Sequence, residues 1–246
     1  RPVALHFLVE TLDAPVAGGT VLLTGAEARH AVTVRRVRPG EAVTVGDGRG
    51  TLADGVCESA SPSEVVVRIH TVRIVDAPTP SLVLVQALAK GDRDELAVQA
   101  ATELGVDAVL PWSSSRSVSR WEGPKIDKGI ARWATIVREA SKQAHRARVP
   151  EVGPLVSTAH LVTLASTSRM LLLEPTATTA LTSVSLRDET ADIVLVVGPE
   201  GGFSPEELER LTAAGATQVR LGDTVLRTST AGPAAIAVVS ALLARW

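Results

Sequence analysis

At 246 residues the chain can bury a sizeable core and hold one or two domains. Its 45% hydrophobic content and formal net charge of −2 exclude a disordered chain and a globally basic nucleic-acid binder. A single cysteine, Cys57, excludes an intrachain disulfide and a thiolate zinc cluster, and with the lack of a signal-peptide pattern it points to a cytoplasmic protein.

Residues 1–75 read as a small β-rich domain. Strands are predicted at 4–10 and 21–23, and Thr24-x-x-Glu27 is a capping-box signature for one short helix reaching about Val34. Pro39-Gly40 turns the chain, strands at 41–45 and 51–57 flank the Gly46-Asp47-Gly48 hairpin signal, and 65–75 supplies another strand. Short strands closed by turn residues predict a small barrel with a covering element at its edges. Arg29, His30, Arg35, Arg36 and Arg38 cluster on or just after the helix without an acidic neighbour. Solvated surface charge is one reading and contact with a phosphate backbone the other; a second basic region favours the latter.

Residues 76–81, with Pro78 and Pro80, read as a linker, after which 82–246 alternates strand and helix. A strand at 82–88, a Lys90-Gly91-Asp92-Arg93 loop, a helix at 94–104 ended by Gly105 and a strand at 108–110 predict a parallel α/β sheet with helices on both faces. From Trp112 to Arg148 basic residues far outnumber acidic ones, a pointer to a polyanionic partner. The longest helix is expected at 125–147. Ile126, Ile130, Trp133, Val137, Ala140 and Ala144 mark its core face, with Lys128, Arg132, Glu139, Lys142 and Arg146 opposite on a strongly basic one. Trp112 and Trp121 could stack on bases, but buried packing is the favoured use of each.

Three strands of the C-terminal half deliver loops at their carboxyl ends, where open α/β sheets bind ligands. Strand 170–173 runs into Glu174-Pro175. Strand 193–197 is stopped by Gly198-Pro199, and a helix then starts with Ser204 as N-cap, Pro205 at the first helical position and Glu207 completing a capping box. Between them Gly201-Gly202 permits close backbone approach and leaves amides free to donate. The third loop is 221–228, and the helix at 231–244 is apolar almost all round, suited to burial within the domain or between subunits. There is no G-x-G-x-x-G and no P-loop, so the local pattern names no ligand and also fits a tight structural turn.

The string from Gly198 to Ser204, followed by Leu221-Gly222 and Val225-Leu226-Arg227-Thr228, closely resembles the 16S ribosomal RNA uracil-N3 methyltransferases of the SPOUT class, the RsmE family. The resemblance spans nearly the whole chain, with His30, Arg35-Arg36, Lys90 to Arg93, Thr102 to Gly105, Arg116-Ser117, Arg132-Trp133 and Glu139-Ala140 as further landmarks in order. It implies an N-terminal PUA-like RNA-binding barrel and a C-terminal α/β domain tied in a trefoil knot. It also implies S-adenosylmethionine as cofactor and a homodimer acting on 16S ribosomal RNA, expected within the assembled small subunit. Carried onto this sequence, the cofactor loops hold Leu173, Glu174, Val197, Gly198, Pro199, Gly201, Gly202, Leu221, Gly222, Val225, Leu226 and Thr228. RNA contacts are expected from Arg29, His30, Arg35, Arg36, Lys90, Arg93, Arg116, Arg132 and Arg146.

Uracil N3 carries a proton that must leave, so catalysis calls for donors where charge builds on the uracil carbonyls. Arg227 is expected in that role, with a loop-bracing salt bridge as its alternative. Glu200 is a candidate proton acceptor that could instead hold backbone amides or the cofactor. The five histidines are scattered and none sits in these loops, so no metal is expected, and no tract is long enough for a membrane span. The chain departs from the family at Ser229, where a glutamate is common, and at Ala100, where a lysine is. Competing expectations are a non-catalytic RNA-binding protein of the same knotted fold, a SPOUT methyltransferase acting on another RNA, and a nucleotide-dependent enzyme on an open sheet.

Overall fold

The computed structural model describes residues 4–187 and 189–246. Contacts group these into two units. One holds the residues up to Ala77 together with Ser141–Val149, and the other Pro78–Ala140 and Pro150–Trp246.

In the first unit, β1 (Leu5–Leu8), β2 (Thr20–Thr24), β3 (Ala42–Gly46), β4 (Thr51–Ala60) and β5 (Glu64–Ile74) form one sheet in the order β1-β3-β4-β5-β2. The pairs are antiparallel except β1 with β3. Register shifts at Asp54/Gly55 and Cys57/Ser59 curl the long β4-β5 ribbon. At the first of these a Cβ on Gly55 would lie 2.0 Å from the Arg68 carbonyl oxygen, so only glycine fits. Phe7, Leu23, Val43, Val45, Cys57, Val65 and Val67 fill the concave side, and α1 (Gly25–Arg29), continued by a π-helical turn over His30–Val34, covers them with Ala28 and Ala31.

The helix thus reaches Val34 as its sequence predicts, but its capping box does not form. The Thr24 side chain makes no cap bond, because Gly25 at φ +59° bends the helix entry away from that geometry. Glu27 turns elsewhere, accepting from the Leu8 amide at 3.3 Å and from Lys142 Nζ at 3.3 Å.

In the second unit, seven parallel strands build one sheet, ordered β12-β10-β11-β6-β7-β8 with β9 also on β7. These are β6 (Leu82–Ala87), β7 (Ala108–Ser113), β8 (Glu151–Val152), β9 (Val156–Ser157), β10 (Arg169–Leu173), β11 (Ile193–Val197) and β12 (Thr217–Val219). The helices are α2 (Arg93–Glu103), α3 (Pro124–Gln143), α4 (Thr158–Ala165), α5 (Pro205–Ala213) and α6 (Thr228–Leu242). β11 is buried at every position, as its unbroken apolar, mostly β-branched run requires of a strand covered on both faces. On one face Val85, Trp112, Met170, Leu172, Val194 and Val196 pack under Leu161 of α4 and Leu211 of α5. On the other, a Cβ on Gly232 of α6 would lie 2.9 Å from Leu84 Cδ1 and 3.4 Å from Val197 Cγ2, so the glycine lets the helix lie close on β6 and β11.

Trp112 is fully buried against Phe203, and Trp121 stands edge-on to buried Trp133 at 5.5 Å, so both tryptophans pack within the fold. Two helix boundaries differ from the sequence reading by three residues or more. Helix α6 begins at Thr228, three residues early, because Arg227 already accepts from the Thr230 and Ala231 amides. Helix α3 stops at Gln143, and the segment after it groups with the first unit rather than with residues 82–246. Its backbone is used there, with Gly50 donating to Ala147 O at 3.0 Å and Val149 to Gly48 O at 2.9 Å, and the Arg148 side chain adds Nε to Val75 O at 2.9 Å.

Candidate active site

The loops after β10, β11 and β12 meet around a cavity of about 310 Å³ in the second unit. Each is shaped by bonds that periodicity cannot show. After β10, Glu174 Oε1 accepts from the Thr176 amide and hydroxyl, and the chain is tied to the third loop through Leu181 N to Arg220 O and Arg220 N to Thr179 O, both 2.9 Å. The Arg220 guanidinium reinforces this by donating to the carbonyls of Ala177 and Thr178.

After β11, Gly202 donates to Pro199 O at 2.9 Å and sits at φ +66°, closing a tight turn that a side chain would strain. The helix start forms as its sequence predicts, since Ser204 Oγ accepts from the Glu207 amide and Glu207 Oε2 from the Ser204 amide at 2.8 Å. Glu207 does more, accepting from the Ser115 amide at 2.8 Å and more loosely from the Ser114 and Thr158 hydroxyls. Burial would raise its carboxyl, but the Ser115 and Ser204 donors outweigh that and hold it below its ordinary value. Among the described residues the amides of Glu200, Gly201 and Phe203 make no hydrogen bond and stay available to a ligand.

At the base of the cavity, Gln86 Nε2 donates to Thr228 Oγ1 at 2.8 Å, and Thr228 Oγ1 donates to Gly198 O at 3.0 Å. This links β6, the second loop and the first turn of α6. Gln86 is fully buried and its Oε1 has no partner among the described residues. It escaped the sequence reading, although a lone amide in an apolar strand was a visible signal.

Of the expected cofactor residues, Leu173, Glu174, Val197, Gly198, Pro199, Gly202, Leu221, Val225, Leu226 and Thr228 line the cavity. Gly201 and Gly222 do not: Gly201 turns its carbonyl to Arg116, and Gly222 shapes its loop at φ +96°. Pro175 and Thr224, within the expected loops, line it too, and so do Phe203, Val219, Arg220 and Ala231, which lie outside them.

Arg227 lies on the lining, exposed, and its guanidinium makes no hydrogen bond or ion pair among the described residues, so it is not a loop-bracing salt bridge. Glu200 is engaged. Its Oε1 accepts from the Lys90 amide at 3.0 Å and from Arg93 Nη1 at 3.2 Å, which joins the second loop to the start of α2. Asp94 fastens that same start through the amides of Ala89 and Glu95, and burial pushes its carboxyl up.

The residues read as RNA contacts divide by occupancy. Arg93 lines the cavity and is held by Glu200. Arg116 donates from Nη1 to the carbonyls of Gly201 and Phe203, both at 2.9 Å. Arg132 forks onto Glu95 at 2.8 to 3.2 Å, and Arg146 is half-buried in the segment that groups with the first unit. The expected basic face of α3 is therefore partly neutralised, with Lys142 also committed to Glu27. Arg29, His30, Arg35, Arg36 and Lys90 keep side chains without a hydrogen bond or ion pair among the described residues. Among those residues, too, no group of three His, Cys, Asp or Glu could hold a metal ion, and no helix is long and apolar enough to cross a membrane.

Comparison with known proteins gives this geometry its context. Residues 76–240 match a family model described as an RNA methyltransferase domain, and residues 23–69 one described as an RNA methyltransferase PUA domain. The ribosomal RNA small subunit methyltransferase E of Mycobacterium tuberculosis is 44% identical, the alignment covering 99% of this chain and 94% of that protein. Its Bacillus subtilis counterpart is 31% identical, with 90% of each covered. The crystal structure of the Neisseria gonorrhoeae enzyme of that name, bound to S-adenosyl methionine, is similar at a TM-score of 0.85 and 31% identity over 98% of both chains. A Legionella pneumophila structure described as a methyltransferase with bound cofactor SAM gives 0.84 at 29% identity, over 97% of this chain and 98% of that one. The architecture is thus a PUA-like β domain followed by a SPOUT-type α/β methyltransferase domain. On its length of match and its identity to these relatives, the chain belongs to the ribosomal RNA small subunit methyltransferase E (RsmE) family.

Proposed function

We propose that the chain transfers the methyl group of S-adenosylmethionine to N3 of a uridine in 16S ribosomal RNA. The observation that carries this is the convergence of the three strand-end loops on one cavity with free backbone amides, in a chain whose relatives include structures solved with that cofactor. Its volume of about 310 Å³ is of the order a small-molecule cofactor site needs. Apolar Leu173, Val197, Leu221, Val225 and Leu226 suit an adenine ring, and the unpaired amides suit its polar edges.

Bound there, the cofactor supplies an electrophilic methyl group. Arg227 places a guanidinium where negative charge grows on a uracil carbonyl as the N3 proton leaves, and so favours the anion that attacks. Glu200 holds the cavity wall by binding Lys90 N and Arg93, which leaves proton removal to solvent or substrate in this reading. Arg29, Arg35 and Arg36 of the PUA-like domain and Lys90 beside the cavity present free cations to the phosphate backbone, and His30 adds an unpaired imidazole. We further read the protein as a cytoplasmic homodimer acting on the small subunit. The half-exposed apolar residues Ala237, Val238, Leu242 and Leu243 of α6 and its end support a subunit contact.

Mass mapping of 16S ribosomal RNA from cells with and without the gene tests the function: one N3-methyluridine should disappear, and an unchanged set overturns it. Arg227→Ala should lower kcat by about 10²- to 10³-fold, the scale for losing one charge-stabilising donor. Full activity in that variant removes Arg227 from the chemistry.

A further inference from the structure

We infer that Arg116 is a positioning residue for the methyl-donor cavity. The inference rests on the proposed function, since it concerns how that cavity is kept in shape.

The Gly-Pro-Glu-Gly-Gly loop has two peptide units fixed on both edges. In the unit joining Gly201 to Gly202, the amide closes the turn on Pro199 and the carbonyl accepts from Arg116 Nη1 at 2.9 Å. In the unit joining Phe203 to Ser204, the amide is taken by Glu207 at 2.8 Å and the carbonyl again by Arg116 Nη1 at 2.9 Å. One guanidinium therefore sets the tilt of both planes. A peptide plane so held cannot flip, and the free amides of Gly201 and Phe203 on either side keep their direction.

Arg116 is itself held. Its amide donates to Ser114 Oγ at 3.3 Å, and the buried Glu207 carboxylate fixes the Ser115 amide at 2.8 Å. Its stem packs on the loop, since a Cβ on Gly201 would come within 3.3 Å of Arg116 Cβ. Glu207 thus binds the end of β7 and the start of α5 to each other, and Arg116 spans the gap to the loop between β11 and α5. Both carbonyls are bonded through Nη1, so that edge of the guanidinium is committed to the shape of the loop before any ligand arrives.

The test uses the full chain, with Arg116→Ala and Arg116→Lys against the unmodified protein. Calorimetry with S-adenosylmethionine reads donor affinity, and the dependence of binding to in vitro transcribed 16S ribosomal RNA on salt reads phosphate contacts. Loss of a pre-set loop lowers apparent affinity by the fraction of protein still in the competent shape, so Arg116→Ala should weaken donor binding by about tenfold or more. Arg116→Lys, which can reach one carbonyl, should fall between. Added guanidinium at a few tens of millimolar should partly restore affinity in Arg116→Ala, an effect that a general loss of stability would not produce. The slope of log affinity against log salt for the RNA should change by no more than the roughly 0.7 to 0.9 of one phosphate contact, which shows that the RNA-binding surface as a whole is intact.

Donor affinity unchanged in both variants overturns the inference. So does a fall in donor affinity that neither Arg116→Lys nor added guanidinium relieves, which marks lost stability and not lost positioning. If Arg116→Ala does not fold, donor affinity in the lysine variant decides. Failure of the unmodified protein to bind the donor sinks the proposed function itself, which the ratio between variants does not touch.

Discussion

Thr228→Val keeps shape and volume but removes the hydroxyl at the centre of the cavity's base. That hydroxyl accepts from Gln86 Nε2 at 2.8 Å and donates to Gly198 O at 3.0 Å, and both it and Gln86 are buried. In the variant, Gln86 Nε2 retains only a long 3.3 Å bond to Ala87 O, and Gly198 O loses its partner. Each buried polar group left unsatisfied costs about 1 to 3 kcal/mol, so the pair predicts a loss of about 2 to 6 kcal/mol. For a chain of this length that is a fall in Tm of about 4 to 24 °C. Urea unfolding followed by the fluorescence of buried Trp112 and Trp133 measures it. Adding Gln86→Leu to Thr228→Val removes one of the orphans and the unpartnered Oε1 with it, so the double variant should regain about 1 kcal/mol over Thr228→Val alone. A loss below about 0.5 kcal/mol, or strict additivity in the cycle, would refute the network as an energetic unit.

Gly232→Ala should lower Tm even though alanine is the better helix former. Its Cβ would sit 2.9 Å from Leu84 Cδ1 in a fully buried contact, and overpacking at about 1 to 3 kcal/mol exceeds the gain of about 1 kcal/mol in helix propensity. A raised Tm shows that Leu84 can yield. Glu207 has its carboxyl held low, so its contribution is present above its ordinary value of 4.5 and lost as pH falls toward the depressed folded value. Glu207→Gln should flatten the decline of stability in that acid range, and an unaltered slope in urea melts contradicts this. His6 is lowered to about 4 by burial first and by neighbouring His145, Lys142 and Arg73, against the opposing pull of Asp54. The unfolded chain takes up its proton from 6.5 downward while the folded one does not until about 4, so stability falls as pH drops through that window. In His6→Gln the dependence between those values should shrink, and chemical-shift titration of His6 near 6.5 in the native protein would refute the premise.

Two capping-box signatures of the same spacing had opposite fates, which marks where local pattern stops being informative. Ser204 and Glu207 cap their helix, whereas Thr24 and Glu27 do not, and the difference is one left-handed glycine at position 25. The longer strands, the parallel sheet and the strand-end loops were legible because burial on both faces leaves an apolar run and loops leave glycine and proline. The short β8 and β9 carry no such run and were not expected, and β12 was marked only by the loop that follows it. Charge pairing was not, because it is non-local. Arg93 finds Glu200 across 107 positions, Arg116 finds Gly201 across 85, and Lys142 finds Glu27 across 115. A count of basic residues therefore overstated the free positive surface, and the return of Ser141–Val149 to the first unit rests on main-chain bonds that no side-chain period encodes.

Occupancy is what separates the arginines around the cavity. Arg93 has a carboxylate, Arg116 two carbonyls and Arg220 two more, so each stabilises the fold before any ligand arrives. Arg227 lies on the same lining with none of these, carried by a backbone that is fixed as the N-cap of α6. A cation whose main chain is fixed but whose side chain is unpaired contributes little to folding, and its interaction energy stays available for a negative charge that forms later. Catalysis gains only from interactions stronger in the transition state than before it, so in the proposed reaction Arg227 enters with its whole donor set still to be used.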